Sequence, residues 1–138
     1  MASIIKEVVI DADPGNVWAA LRDFGALHER LVPGFVVNCH LDGSDVRTIT
    51  FFNGAVAREM LIGVDDVARR LAYSVIEGPL GFTHSNASAQ VFSEGLHRSR
   101  FVWITDLLPD ELATPTADLM ERGIGVIKTI LESHVVHR

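Results

Sequence analysis

Cysteine is nearly absent: Cys39 stands alone in 138 residues, which excludes an internal disulfide framework and a multi-cysteine zinc site. Basic side chains are in deficit, with 12 Lys and Arg against 18 Asp and Glu and a formal net charge of −6. A chain with that balance and no basic run is poorly suited to nucleic acid or to an anionic membrane surface. Aromatic residues make up only 7%, so a core has to be mostly aliphatic. No uninterrupted apolar stretch approaches the roughly 20 residues of a membrane span. The opening residues carry Lys6 and Glu7 inside their apolar stretch and have no signal-peptide centre. Gly-x-Ser-x-Gly, phosphate loops and dinucleotide fingerprints are missing too, and no cofactor is expected. What remains is 48% hydrophobic and 22% charged, a composition that excludes disorder. The expectation is one domain spanning 1–138, soluble and cytoplasmic, without membrane insertion, as a monomer or homodimer.

Turn signals punctuate the centre of the chain at even intervals: Asp42-Gly43, Asn53-Gly54, Asp65-Asp66, Glu77-Gly78-Pro79 with Gly81, and Glu94-Gly95. The segments between them are of strand length and rich in Val, Ile, Phe and Thr, the pattern of an antiparallel meander. Strands are expected over 34–41, 45–52, 55–64, 68–76, 82–92 and 98–107, preceded by one over Ser3–Ile10. Helices are expected only at the two ends of the meander. Asp13-Pro14 reads as a cap followed by the first helical position. Gly25 then breaks off a second short helix ending near Pro33-Gly34. Thr114-Pro115 repeats the signal and opens a long helix to about Ser133. On that helix Thr116, Leu119, Met120, Gly123, Ile127, Ile130 and Leu131 share one broad apolar stripe.

Alternation assigns the inward faces. Phe35, Val37, Cys39 and Leu41 share a face, as do Leu71, Tyr73 and Val75, and also Ala87, Ala89 and Val91. Phe101, Trp103 and Thr105 form a fourth set, blurred by Val102 and Ile104. Hairpin parity tests these choices. An odd loop near Ser93–His97 brings Ala87, Ala89, Phe101 and Trp103 together inside, whereas a two-residue loop strands a tryptophan in water. At Asn53-Gly54 a three-residue turn brings Ala57, Glu59 and Leu61 in beside Ile49 and Phe51. A two-residue turn brings in Arg58 instead. Either way one charge of the Arg58-Glu59 pair enters the apolar face. Small inward residues (Ala57, Ala87, Ala89 and Gly123) beside Phe51, Tyr73 and Trp103 leave room for a ligand cavity under the helix. The alternative is that they match a close approach of that helix.

Strand, two short helices, a six-stranded meander and a long C-terminal helix resemble the helix-grip arrangement of the START-like (SRPBCC) superfamily, an α+β fold with a seven-stranded antiparallel sheet wrapped around the helix. Ile10-Asp11-Ala12-Asp13-Pro14 with Val17-Trp18 resembles the opening of that superfamily, and Trp103 with Pro109 its last strand. Arg58-Glu59-Met60-Leu61 to Asp65-Asp66, with Arg69-Arg70-Leu71-Ala72-Tyr73, is similar to the polyketide cyclase/dehydrase branch, itself close to the plant abscisic-acid receptors. The resemblance implies a cavity between helix and sheet that takes an apolar, aromatic or amphipathic small molecule. It also implies a pocket role for Glu59 and wall positions for Phe35, Ile49, Phe51, Tyr73, Val75 and Ala87. Pro33 stands where those receptors carry a carboxylate-binding lysine, and the gating loop is reduced to Asn53-Gly54-Ala55-Val56, which argues against a hormone receptor. The inward faces add Ala57, Leu61, Phe82, Phe101, Trp103, Met120, Gly123 and Ile127 to the expected wall.

Two side chains are candidates for proton transfer, should the chain be an enzyme of the cyclase/dehydrase type. Glu59 is a ligand anchor or general base, or else a strand-end glutamate reaching solvent or paired with an arginine such as Arg58. Tyr73 combines an apolar ring with a polar tip and could orient a hydroxyl or carbonyl, or be an ordinary core tyrosine. Cys39 reads as a packed small hydrophobe. His84 reads as a surface residue near the cavity mouth. His134 and His137 lack a third ligand for a metal. The competing functions are a non-catalytic lipid or isoprenoid carrier or sensor, and an interaction module with a filled cavity.

Overall fold

In the computed structural model, which describes residues 1–133, alternating side chains and closely spaced turns produce seven strands. They are β1 (Ala2–Ile10), β2 (Val36–Asp42), β3 (Val46–Phe51), β4 (Val56–Asp65), β5 (Arg70–Glu77), β6 (His84–Ser93) and β7 (Ser99–Leu108). All are antiparallel in one sheet of order β1-β7-β6-β5-β4-β3-β2. The meander therefore runs from β2 to β7, and the first strand closes against the last. Between β1 and β2 lie helix α1 (Pro14–Arg22), a 3-10 turn over Phe24–Ala26 and a π-type turn over Leu27–Leu31. After β7 a 3-10 turn, Asp110–Leu112, leads into helix α2 (Ala113–Ser133). The result is the α+β helix-grip arrangement. Among the described residues no helix is long and apolar enough to cross a membrane.

Both hairpins have odd parity, as expected for β6–β7, and at β3–β4 this decides between the two turn lengths that the sequence leaves open. Ser93 pairs with Ser99, leaving five residues in the loop, and Ala89 and Val91 stand opposite Trp103 and Phe101. At the β3–β4 turn the Phe51 N–H donates to the Ala55 carbonyl at 2.8 Å and the Gly54 N–H to the Phe51 carbonyl at 2.9 Å. Gly54 takes the left-handed backbone (φ +86) that this three-residue turn needs. Ile49 then pairs with Ala57 and Arg47 with Glu59.

The second short helix is present as the 3-10 and π-type turns, ending at Leu31. Three local expectations are corrected. On β2 the pairing slips between Val36 and Asn38. This bulge turns Val36 inward and leaves Val37 exposed, while Leu41 keeps the inward side but lies in the open at the sheet edge. Asp13 sits at the α1 N-cap without capping it, because its carboxylate bonds His97 Nδ1 at 2.6 Å. Finally, α2 begins at Ala113 rather than Pro115. Pro115 is tolerated inside the first turn, where N–H groups have no intrahelical acceptor to lose.

Candidate functional site

The concave face of the sheet does not close completely on α2. Between them lies a cavity of about 150 Å³. Phe35, Ile49 and Phe51 line it from one end of the sheet, followed by Ala57 and Glu59 from β4, and Tyr73 and Val75 from β5. Phe82, Ala87, Phe101 and Trp103 continue the wall, and Met120 and Ile127 descend from α2. Gly78 and Pro79, both exposed, also reach the wall, which puts the β5–β6 loop at the rim.

Two expected wall residues stand outside it. Leu61 pairs with Tyr73, and the strand bulges between Leu61 and Gly63, so Leu61 packs half-buried on the core beyond the cavity. Gly123 has no void beneath it. A Cβ built there would lie 3.2 Å from Trp103 Cζ3 and 3.5 Å from Phe35 Cε2, so the glycine admits the indole rather than a ligand. At this position the small residue answers a close approach of the helix, whereas Ala57, Ala87 and Ala89 do border the empty space.

Glu59 is the charge that turns inward, but it is not alone. Arg47, 5% exposed, meets it: Nε donates to Glu59 Oε1 at 2.8 Å and Nη2 approaches the same oxygen at 2.7 Å. Arg47 Nη1 also donates to the Phe24 carbonyl at 3.2 Å, and the guanidinium lies 4.0 Å from the Phe24 ring centroid and 5.5 Å from that of Tyr73. Arg58, the partner considered from sequence, faces outward to Glu77 and Asp42 at 3.3 and 3.7 Å. The missed Arg47 was within reach of sequence reasoning. The strand alternation that turns Ile49 and Phe51 inward turns Arg47 inward as well, and the register that pairs Ile49 with Ala57 pairs Arg47 with Glu59.

Tyr73 is buried, and its hydroxyl oxygen accepts a hydrogen bond from Trp103 Nε1 at 3.1 Å. Burial, reinforced by the negative charge of Glu59, pushes the phenol well above the usual tyrosine range, so it stays a neutral donor. Cys39 is buried, its thiol pushed up by desolvation, and it behaves as a small apolar residue. His84 is exposed at the start of β6. His134 and His137 lie outside the described residues, among which no three His, Cys, Asp or Glu side chains gather as a metal site. Sequence reasoning missed the wall residue Ser85, which alternation with Ala87 places inward; Thr105, on the expected inward face, and Thr116, on the expected helix stripe, are polar wall residues too.

The profile of the family described as "Polyketide cyclase / dehydrase and lipid transport" matches residues 1–132. Among curated proteins none matches the chain in sequence. Solved structures do. Protein XoxI from Bacillus cereus superposes with a TM-score of 0.84 at 22% identity, over 99% of this chain and 97% of that one. Norcoclaurine synthase from Thalictrum flavum, determined in complex with dopamine and hydroxybenzaldehyde, gives 0.72 at 20% identity over 99% and 88%. The Zhui aromatase/cyclase from Streptomyces sp. R1128 gives 0.72 at 17% identity over 96% and 92%. At such identities the likeness establishes the fold.

Proposed function

Because the chain belongs to the polyketide cyclase/dehydrase and lipid transport family, we propose that it binds a compact apolar or aromatic small molecule between its sheet and α2. One observation carries this reading: an empty space of about 150 Å³ whose wall is mostly aliphatic and aromatic, with few polar groups set into it. Concave apolar sites with a few placed polar groups are the usual form of a small-molecule site. The volume also sets a size. A cavity of about 150 Å³ accommodates roughly one benzene ring, so this conformation suits a single ring better than a lipid chain or a long isoprenoid.

Within the site Tyr73 acts as a fixed neutral hydrogen-bond donor toward a carbonyl or hydroxyl of the ligand. Its oxygen is held by Trp103, and its own O–H has no acceptor among the described residues. Glu59 serves by holding Arg47, whose guanidinium meets its Oε1 through Nε and Nη2. If a reactive carbonyl compound is turned over here, the route is orientation and exclusion of water, with Tyr73 polarising the carbonyl. The neighbours described as norcoclaurine synthase and aromatase/cyclase support such chemistry by analogy of fold.

Native mass spectrometry of freshly purified protein, followed by melting with a panel of single-ring aromatics, tests the reading. The expected result is a small-molecule adduct or a rise in Tm with at least one ring compound. No adduct and no shift across the panel would overturn it.

A further inference from the structure

Two hydroxyls in the cavity wall have nothing to bond. Ser85 and Thr116 are 5% and 7% exposed. Ser85 Oγ and Thr116 Oγ1 are buried without a hydrogen-bond partner, and both residues line the cavity. They come from opposite sides of it. Ser85 projects from β6, and Thr116 lies one turn into α2. They also stand at the same end. Ser85 pairs with Leu107, one residue before the end of β7, and the turn that follows leads directly into the helix carrying Thr116.

A buried hydroxyl left unpaired loses its hydration without compensation, and most buried polar side-chain atoms in folded proteins have partners. Here two such atoms belong to residues of one cavity wall, on opposite sides of it, in surroundings that are otherwise largely apolar. A hydroxyl rotates freely and both donates and accepts, so the pair can grip either a ligand hydroxyl or a ligand carbonyl.

Resting on the reading that the cavity holds a ring-sized molecule, we propose that Ser85 and Thr116 form a polar pole that selects an oxygenated ring compound, of the phenol or cyclic-ketone class, over a plain hydrocarbon of the same shape. Toluene and phenol are suitable probes, because they differ by a methyl group against a hydroxyl. Calorimetric titration of both into the wild type, Ser85→Ala and Thr116→Val measures the preference. Each substitution is expected to weaken phenol by about three- to tenfold, the worth of one net hydrogen bond, while toluene binds as before or tighter. The ligand-free variants should melt at or above the wild-type temperature, because an unpaired buried hydroxyl has been removed. An unchanged phenol-to-toluene ratio overturns the polar pole alone. A clear loss of stability in both ligand-free variants does the same, since it means the hydroxyls are already bonded in the empty protein. Failure of the wild type to bind either probe overturns the cavity reading, and this inference with it.

Discussion

Arg47 and Glu59 set the terms for any substitution in the site. Their side chains are 6% and 9% exposed and share one strong contact. Removing one partner leaves an uncompensated buried charge, whereas replacing both with apolar groups of similar size is often neutral or favourable. Glu59→Gln is therefore expected to destabilise the fold by about 3–5 kcal/mol, and the double variant Arg47→Met, Glu59→Leu to recover most of that loss. Urea denaturation of the three proteins measures both; a Glu59→Gln protein as stable as the wild type would show that the pair contributes nothing. From sequence alone an unpaired glutamate would have given the opposite sign, which is why Arg47 matters. Tyr73 makes a second prediction. Its phenol is raised in the folded state by burial, so the fold favours the neutral form. The contribution is fully present below the unfolded value of about 10, and is lost as pH rises from there through the raised folded value. Tyr73 is the one tyrosine in the chain, so the ultraviolet phenolate band reports on it alone. In folded protein that band should stay absent above pH 10 and emerge together with unfolding; ordinary titration near pH 10 in folded protein would refute the burial.

Helix α2 shows what one missing side chain does for an element. Gly123 lies against Trp103 and Phe35, and Gly125, one residue pair further along, meets nothing within 4 Å. Gly123→Leu is expected to drive into the indole and cost about 1–3 kcal/mol, as overpacking does. Gly125→Ala should gain up to about 1 kcal/mol from helix propensity. Thermal melts of the two variants give opposite shifts if the contact at Gly123 is as close as described, and shifts of equal sign if it is not. The elements themselves were legible wherever one face is buried. The stranding of Trp103 forced the odd β6–β7 loop, because a one-residue slip would have turned its apolar set to water; at Gly54 both turn lengths stayed open, since each brings one charge of the Arg58-Glu59 pair inward. Alternation failed at β2, where a bulge reverses the side-chain direction without any glycine or proline to mark it. Asp13-Pro14 does mark the start of α1, but the capping bonds themselves were not legible. Asp13 and Thr114 have the chemistry of caps, but tertiary partners decided their use: His97 claims Asp13, and α2 begins before Thr114. The size of the space beneath α2 was illegible, since an alanine on an inward face can border a void, and a glycine can be filled by a neighbour, with the same sequence pattern.

At the scale of the whole molecule the cavity is an energetic liability carried by the entire fold. Unfilled core volume costs about 24 cal/mol per Å³, so a void of about 150 Å³ corresponds to roughly 4 kcal/mol, a large fraction of the 5–15 kcal/mol that holds a typical domain together. A ligand that occupies the space returns part of that stability by mass action, about 2.7 kcal/mol at a hundredfold excess over Kd. Stability and binding are therefore opposed at the wall, and a substitution that fills the void should favour the first at the expense of the second. Ala87 is the place to test this. It sits on β6 between Tyr73 and Thr105, is 2% exposed and borders the void. Isoleucine suits a strand, and at about 0.8 kcal/mol per buried methylene Ala87→Ile should raise stability by about 1–2 kcal/mol. The same change in a fully packed core would lower it by about 1–3 kcal/mol, so the sign alone decides whether space is there. The variant should also lose the melting response to single-ring aromatics. A protein that becomes more stable and still responds would place the ligand elsewhere, and one that becomes less stable would mean that the wall around Ala87 has already closed.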